Sequence, residues 1–304
     1  MTRIGLAVNP TSGKGRGGAA GRRAHELLTA GGHDVADLSA PTLAQATDRA
    51  RQAALAGLDA LVVVGGDGMV HLGVTVVAGT SLPLGVVAAG TGNDIARTLG
   101  LPRGDVAAAV RAIEAGLASG PRSVDAARVS TPGHAAHEWF VGVLSCGIDA
   151  AVNARANAMH WPRGEGRYIR ALLAELHGFR SYGYRVTLDD RVWESAGALV
   201  AVANVPWIGG GIHIAPGAQV DDGLLDVVLA AEFNRMQVAR IFPAVQRGRH
   251  LGHPRIELAR ARSVLIEPLA SRGPHPPIAF ADGERIGPLP LRVDVVPGAL
   301  AVLA

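Results

Sequence analysis

The chain has 304 residues, of which 48% are apolar, 4% aromatic and 18% charged, with a formal net charge of +3. This composition is typical of a globular protein and excludes a disordered chain. The length is sufficient for two domains that each bury a core. Cys146 is the one cysteine, so an intrachain disulfide is excluded, and its apolar surroundings predict a small core residue.

Neither a secretory signal nor a membrane span is predicted. Met1–Val8 lacks the charged and apolar regions of a signal peptide. No apolar run reaches the roughly 18 residues that a spanning helix needs. The longest candidate, Ala196–Val205, is predicted as a buried strand. We therefore expect a soluble or peripheral protein of the cytoplasm.

The first part of the chain alternates short apolar runs with helical segments. The predicted strands are Arg3–Val8, Ala60–Val64 and Leu84–Ala88, and the predicted helices are Ala19–Ala30 and Ala44–Ala56. Such alternation predicts an α/β domain with a parallel sheet. Ligands of these sheets bind beyond the carboxyl ends of the strands. Each of the three strands ends in a glycine-rich turn, so the turns are expected to converge on one site.

The three turns are Asn9–Gly15 (NPTSGKG), Gly65–Gly68 (GGDG) and Gly90–Asp94 (GTGND). Small residues let backbone N–H groups approach phosphate oxygens, and Lys14, the chain's one lysine, adds a compact cation. Val8 stands where a Walker A loop needs its first glycine, so this is not a P-loop. Each turn alone also has a structural interpretation, such as a helix cap. Three such turns at the carboxyl ends of successive strands together predict nucleotide binding.

After about residue 125 the pattern predicts an antiparallel β domain that carries helices. Its predicted strands are Trp139–Cys146, Arg185–Leu188, Ala198–Ala203, Leu225–Ala230, Ser263–Ile266 and Leu291–Val296, and its helices are Tyr168–Gly178 and roughly Arg235–Gln246. Asp282-Gly283-Glu284 and Asp221-Asp222-Gly223, by themselves, favour polar hairpin turns. The histidines, including His71 and His213, show no metal-ligand spacing.

Arginine is concentrated in two segments, 155–185 and 235–262. The first has six arginines and only Glu165 and Glu175 to oppose them. A solvated helical face and an anionic membrane surface both explain this pattern. Nucleic acid is not expected as a partner, because no aromatic platform or binding motif accompanies the charge.

Segments 9–15, 62–68, 88–97, 209–227 and 280–284 together resemble the soluble bacterial diacylglycerol kinase family. This family lies in the lipid kinase superfamily that includes sphingosine and ceramide kinases, and segments 155–176 and 288–303 resemble its actinobacterial branch. The resemblance covers essentially the whole chain. It implies a nucleotide-binding α/β domain at residues 1–128, to which 297–304 returns. It also implies an antiparallel β-sandwich-like lipid-substrate domain at 129–296, with the active site in the cleft between them.

The resemblance also implies roles for individual residues. Asp282 matches the general base that takes the lipid hydroxyl proton, and Glu284 matches a second catalytic carboxylate. The positions that match the family's nucleotide-binding residues are Asn9, Pro10, Thr11, Ser12, Gly13, Thr42, Gly65, Gly66, Asp67, Gly68, Met69, Val70, His71, Thr91 and Asn93. Asp67, Asp94, Asp125 and Glu284 match the carboxylates that surround Mg²⁺ in the family. Gln219, Asp222 and Leu224 match a second, structural metal site.

The implied reaction is transfer of phosphate from ATP, with Mg²⁺, to diacylglycerol. Another lipid alcohol, such as a sphingoid base, ceramide or monoacylglycerol, stays open as acceptor, and so does a catalytically silent lipid- or nucleotide-binding protein. The superfamily commonly has Thr and Asn where this chain has Met69 and His71, which removes a hydroxyl from the phosphate loop. The expected partner is a lipid at the inner face of the membrane, contacted reversibly, and a homodimer is possible.

Overall fold

The structure, a computed structural model, describes residues 1–159, 161 and 165–304, with the backbone alone for 165–167. The first elements are β1 (Arg3–Val8), the short turn α1 (Ser12–Gly15), α2 (Gly17–Ala30), β2 (Asp34–Asp37), α3 (Leu43–Leu55), β3 (Ala60–Gly65), α4 (Asp67–Val77), β4 (Leu84–Ala88), α5 (Asp94–Thr98) and α6 (Val106–Ser119). Then come β5 (Arg122–Ser130), β6 (His137–Phe140), β7 (Val143–Gly147), α7 (Ile148–Ala158), α8 (Glu165–Gly178), β8 (Tyr182–Leu188), β9 (Arg191–Gly197) and β10 (Leu199–Ala203). The last are β11 (Leu225–Ala230), α9 (Arg235–Gln246), β12 (Ile256–Ala261), β13 (Ser263–Pro268), β14 (Ala279–Ala281), β15 (Glu284–Gly287) and β16 (Leu291–Leu303).

The predicted parallel sheet is confirmed. β1 pairs in parallel with β2 and β3, and β3 pairs in parallel with β4. Every residue of β3 is buried, because helices cover both faces of the sheet. Leu28 of α2 and Ile113 of α6 pack in one core, whereas Ala50 of α3 and Leu72 of α4 pack in another. The carboxyl ends of β1, β3 and β4 therefore lie at the same edge.

The antiparallel sandwich is confirmed as well. One sheet has the order β12-β11-β10-β7-β14-β15. A third core of buried side chains, including Leu144 from this sheet with Phe140 and Tyr184 from the other, lies between the two layers. Cys146 is buried there, as expected, and its carbonyl oxygen accepts a 2.6 Å hydrogen bond from the Tyr184 hydroxyl.

The long strand β16 joins the two parts of the molecule. Its first half pairs with β13 and β5, and at its end Val302 and Leu303 pair in parallel with Leu84 and Gly85 of β4. The parallel sheet thus continues into one layer of the sandwich. The boundaries at residues 128 and 296 fall inside β5 and β16, and the division into domains stays a prediction.

The prediction of one strand over Trp139–Cys146 was wrong. Phe140 of β6 pairs with Ala127 of β5 in the first sheet, whereas Val143 of β7 pairs with Ala203 of β10 in the second. The chain changes sheets at Val141 and Gly142, which apolar patterning alone could not reveal. None of the helices in the described part of the chain is long and apolar enough to cross a bilayer.

Candidate active site

The three glycine-rich turns lie side by side at the carboxyl edge of the parallel sheet. A Cβ on Gly13 would lie 2.1 Å from the carbonyl oxygen of Ala89, and a Cβ on Gly90 would lie 2.4 Å from Cα of Gly66. The N–H groups of Ala89 and Gly90 both donate to the carbonyl oxygen of Gly65. Only glycine allows backbones to approach this closely, so the convergence expected from the sequence is present.

The first turn is shaped by its own polar side chains. Asn9 Oδ1 accepts hydrogen bonds from the N–H and hydroxyl of Thr11, and the Ser12 hydroxyl donates to the carbonyl oxygen of Asn9. Gly13 and Lys14 both have left-handed backbone angles, with φ of 58° and 61°. Such turns direct successive N–H groups outward, which suits an anion. Pro10 and Thr11 are exposed at its tip.

The second turn leads directly into α4. Asp67 and Gly68 are half-buried in the first turn of this helix, where N–H groups lack intrahelical partners and favour anions. Met69 and Val70, by contrast, bury their side chains in the core, with 3% and 4% exposure. Only their main chain is available to a nucleotide. The replacement of the usual threonine by Met69 therefore adds a core contact.

The third turn is held by Asn93, which has φ of 55°. Its side-chain amide accepts a hydrogen bond from the Gly90 N–H and donates one to the Gly90 carbonyl, both at 3.0 Å. Thr91 is exposed at the tip of this turn. Thr42 caps α3, because its hydroxyl accepts a hydrogen bond from the N–H of Gln45. Asn93 and Thr42 thus both have structural roles, and their predicted nucleotide contacts stay predictions.

Asp67, in the second turn, has a perturbed pKa. Burial, with the nearby charges of Asp94 and Asp282, raises the pKa of Asp67 to about 6, although its Oδ1 accepts a hydrogen bond from the Ile95 N–H. A Cβ on Gly92 would lie 3.0 Å from Asp67 Oδ2. A buried carboxylate among other acids is costly when charged, and a cation would relieve that cost.

Asp94 connects the parallel sheet to a loop from the sandwich. Its Oδ2 accepts a 2.6 Å hydrogen bond from the N–H of Gly210, and its Oδ1 lies 3.5 Å from a guanidinium nitrogen of Arg97. Asp94 Oδ1 is buried and makes no hydrogen bond. Gly210 lies in the tip of a tight hairpin closed by hydrogen bonds between Ile208 and Ile212. In the sequence, Gly209 to Gly211 begin segment 209–227 of the family resemblance.

Asp282 is held by the segment where the chain changes sheets. Its Oδ1 accepts a 2.8 Å hydrogen bond from the N–H of Gly142, and its Oδ2 accepts one of 3.1 Å from Val141. A Cβ on Gly142 would lie 2.2 Å from Oδ1, so glycine is needed here. Asp282 Oδ2 also lies 3.3 Å from Nδ1 of His71.

The charge of His71 responds to this contact. Burial opposes its protonation, but the hydrogen bond and charge of Asp282, together with Glu284 and Glu138, raise the pKa of His71 above its ordinary value. His71 and Glu284 line a groove of about 500 Å³ between α3, α4, β6 and β15, with Leu43, Ala44, Thr47, Arg51, Leu72, Thr75, His137, Glu138, Trp139 and Arg285. A Cβ on Gly68 would lie 3.6 Å from Glu284 Oε1, so this acid borders the second turn.

The Asp125 carboxylate faces a different part of the molecule. Its two oxygens accept hydrogen bonds of 2.7 and 2.8 Å from the N–H groups of Gly223 and Gly298. It therefore joins the loop around residue 220 to the bend in β16. Asn204, fully buried, donates to the carbonyl oxygens of Asp125 and Val141 and so connects this junction to the peptides that hold Asp282.

The loop predicted to hold a second metal already has a cationic partner. Asp222 forms an ion pair with Arg260, and its Oδ1 accepts a hydrogen bond from the Leu224 N–H. Gln219 is exposed. Among the described residues, no group of three or more His, Cys, Asp or Glu side chains is placed to hold a metal ion. These contacts do not fit a metal bound in addition to Arg260.

Replacing Arg260 with alanine should expose Asp222 to divalent cations. We expect the variant to lose about 2–4 °C in Tm because it loses the ion pairs of Arg260 with Asp222 and Asp226. Adding 10 mM Mg²⁺ or Ca²⁺ should then restore part of that loss through Asp222. Scanning calorimetry with and without the cation measures the effect, and the double variant Arg260→Ala/Asp222→Asn is the control. If the cation raises the Tm of the single and double variants equally, Asp222 does not bind it and the prediction is wrong.

A cation between the turns fits better. Asp67 has a raised pKa, Asp94 has a buried oxygen without a hydrogen bond, and Glu284 borders the second turn, which begins α4. Mg²⁺ prefers few carboxylates and keeps several waters, which suits acids that are not clustered. Asp67, Asp94 and Glu284 are therefore the described residues that would hold it, and Asp125 would not.

Several residues of the site had no individual role predicted from the sequence. The N–H groups of Val141, Gly142 and Gly210 belong to segments predicted as strand or loop. Arg97, which lies 4.9 Å from the ring centroid of Trp207, was noticed only as part of a motif. A buried polar residue ending an apolar run is the one feature that could have indicated Asn204.

Comparison with known proteins assigns both parts of the chain. Residues 3–129 match the diacylglycerol kinase catalytic domain, and residues 142–304 match the YegS C-terminal NAD kinase beta sandwich-like domain. The chain is 36% identical over 302 residues to a diacylglycerol kinase of Mycobacterium tuberculosis H37Rv, covering 99% of this chain and 94% of that protein. It is 25% identical to a Bacillus subtilis diacylglycerol kinase, covering 88% and 86% of the two chains.

Two further matches are a curated relative and a solved structure. A Chromohalobacter salexigens protein described as a probable lipid kinase YegS-like is 30% identical over 62% of this chain and 59% of its own length. A crystal structure of a diacylglycerol kinase from Bacillus anthracis str. Sterne covers 99% of this chain and 96% of its own, with a TM-score of 0.68 and 20% identity, which supports the fold. The glycine turns, the buried acids and these similarities agree. This chain is a member of the diacylglycerol kinase family of lipid kinases.

Proposed function

We propose that this protein transfers the γ-phosphate of ATP to the hydroxyl of diacylglycerol, with Mg²⁺, to form phosphatidic acid. The observation that carries the proposal is the meeting of three glycine turns with Asp67, Asp282 and Glu284 at one edge of the sheet. Phosphoryl transfer depends mainly on positioning and on neutralising charge, which such turns and a bound cation supply. The diacylglycerol kinases of M. tuberculosis and B. subtilis favour this acceptor.

Each part of the site would have a separate task. The N–H groups of the turns would bind the phosphates, and Mg²⁺ held by Asp67, Asp94 and Glu284 would neutralise their charge. The Asp282 carboxylate, which lies 3.3 Å from Nδ1 of His71, would provide the base that removes the proton of the hydroxyl. A carboxylate or imidazole in this position contributes about 10²–10⁴-fold to the rate.

The test is Mg²⁺-dependent transfer from γ-labelled ATP to micellar lipids. The panel contains diacylglycerol, monoacylglycerol, sphingosine, ceramide and undecaprenol. Label in phosphatidic acid supports the proposal, and label in another lipid reassigns the acceptor, which the YegS-like relative keeps open. ATP binding without label in any lipid would favour a catalytically silent protein.

We further propose reversible contact with the inner face of the membrane. α8 and α9 pack together, and Ile169, Leu173 and Met236 on them are each more than half exposed, beside the exposed Trp161. The guanidinium of Arg170 lies 5.4 Å from the centroid of the Trp161 ring. Between residues 235 and 255 there are five arginines and no acidic residue. Apolar side chains beside unopposed cations are complementary to anionic lipid. Of the first arginine segment, Arg163 and the side chain of Arg167 lie outside the described residues.

The double variant Arg240→Gln/Arg247→Gln should weaken binding to anionic vesicles by about 10- to 30-fold, because each cation near such a surface contributes about 1 kcal/mol. Flotation with anionic and with neutral vesicles measures this. Arg22→Gln/Arg23→Gln removes two exposed arginines from α2 and serves as the control. If wild-type protein binds both kinds of vesicle equally, the electrostatic part of the proposal is wrong.

A further inference from the structure

His71 stands between the buried carboxylate of Asp282 and the groove. The Asp282 side chain is 1% exposed, whereas that of His71 is 11% exposed and lines the groove. Both oxygens of Asp282 already accept hydrogen bonds from the peptides of Val141 and Gly142. A hydroxyl that enters along the groove therefore meets the imidazole ring before it can meet the carboxylate.

The two nitrogens of the His71 ring have different surroundings. Nδ1 lies 3.3 Å from Asp282 Oδ2, whereas Nε2 makes no hydrogen bond to any residue that the structure describes. A carboxylate acceptor at Nδ1 favours the neutral tautomer with its proton on Nδ1, and this tautomer leaves a lone pair on Nε2. The same arrangement orients the catalytic histidine in hydrolases with an Asp-His pair.

We propose that Nε2 of His71 accepts the proton of the lipid hydroxyl, while Asp282 orients the ring and stabilises its charged form. The inference rests on the proposed function and moves the direct contact from Asp282 to His71. The hydroxyl oxygen bonds to the γ-phosphorus, and the bond from this phosphorus to the bridging oxygen breaks. The electron pair leaves with ADP, and the hydroxyl proton moves to Nε2.

The substitution His71→Asn separates proton transfer from positioning. Asparagine retains a donor for Asp282 but has no basic lone pair, and it is the residue that the superfamily commonly has here. We expect His71→Asn and His71→Ala to lower kcat by about 100-fold alike, with KM for ATP and lipid changed less than about threefold. Added imidazole should restore part of kcat in His71→Ala. Wild-type kcat in His71→Asn would overturn the proposal, because Asp282 would then act directly.

His25→Asn is the matched control, because His25 is exposed on α2 and outside the site. Its kcat should equal that of the wild type. Nitrogen-15 NMR of labelled histidines at alkaline pH, assigned with His71→Asn, tests the tautomer without turnover. A proton on Nδ1 that is lost or moved in Asp282→Asn supports the proposal, and a proton on Nε2 in the wild type overturns it. Absence of lipid phosphorylation by the wild type would instead contradict the proposed function.

Discussion

The variant Asp282→Asn is expected to lose about 10²–10⁴-fold in kcat, with ATP binding retained. The carboxylate of Asp282 accepts from donors at both of its oxygens, so the NH₂ group of asparagine must face a donor in either orientation. It faces Val141 N–H and His71 in one orientation and Gly142 N–H in the other. In either orientation the substitution removes the negative charge of Asp282, which stabilises the protonated form of the His71 ring 3.3 Å away. It should also cost about 1–3 kcal/mol in the free energy of unfolding.

The control for this variant is Asp189→Asn. Asp189 also has a left-handed backbone, with φ of 49°, and its carboxylate also accepts hydrogen bonds from two peptides, those of Arg262 and Ser263. It lies at the β8–β9 turn, outside the site. We expect a similar loss of Tm with unchanged kcat. Radiometric lipid phosphorylation and calorimetry together separate the two effects, and unchanged turnover in Asp282→Asn would remove this residue from the mechanism.

The second large effect is expected from Asp67→Asn, which should lose activity and gain stability. The charge of Asp67 is needed for the cation, so kcat/KM should fall by about 100-fold or more. In the folded protein the pKa of Asp67 is about 6, compared with the ordinary 3.8. Between these values the folded state keeps a proton that the unfolded state has lost, so stability falls as pH rises through this window.

The size of that effect sets the pH dependence of Tm. A pKa shift of about two units at Asp67 lowers the free energy of unfolding by roughly 2–3 kcal/mol once the pH is above about 6. Asparagine can still accept the hydrogen bond from Ile95 and carries no charge to bury. Its Tm should therefore match the wild type near pH 4 and exceed it by several degrees at pH 7.5. Mg²⁺ should reduce this difference in Tm, because it is expected to stabilise the wild type and not the variant.

Asp149→Asn is the control for stability without function. Burial raises the pKa of Asp149, and its Oδ1 has no hydrogen-bond partner. The variant should likewise be more stable at neutral pH, with kcat unchanged. If Asp67→Asn were less stable than the wild type at pH 7.5, the buried charge would not be the dominant cost at Asp67.

Much of the fold could be predicted because its signals are local. Arg3–Val8, Leu84–Ala88, Leu225–Ala230 and Arg235–Gln246 have the predicted bounds, since apolar runs and glycine turns mark them directly. Trp139–Cys146 could not be divided correctly, because two strands in different sheets share one apolar run. The path of β16 through three partner strands depends on pairing between distant segments.

Local sequence accounts for the parallel strands, their three glycine turns and the acids beside them, because apolar runs and glycine spacing involve neighbouring residues. The partners of each acid, by contrast, depend on the tertiary structure. Asp282 meets Val141 and His71 across 141 and 211 residues, and Asp94 meets Gly210 across 116. Likewise, Asp125 accepts a hydrogen bond from Gly223 and not from the glycine turns, and Asp222 pairs with Arg260. Side-chain partners at such separations follow from the packing of sheets, which no local pattern records.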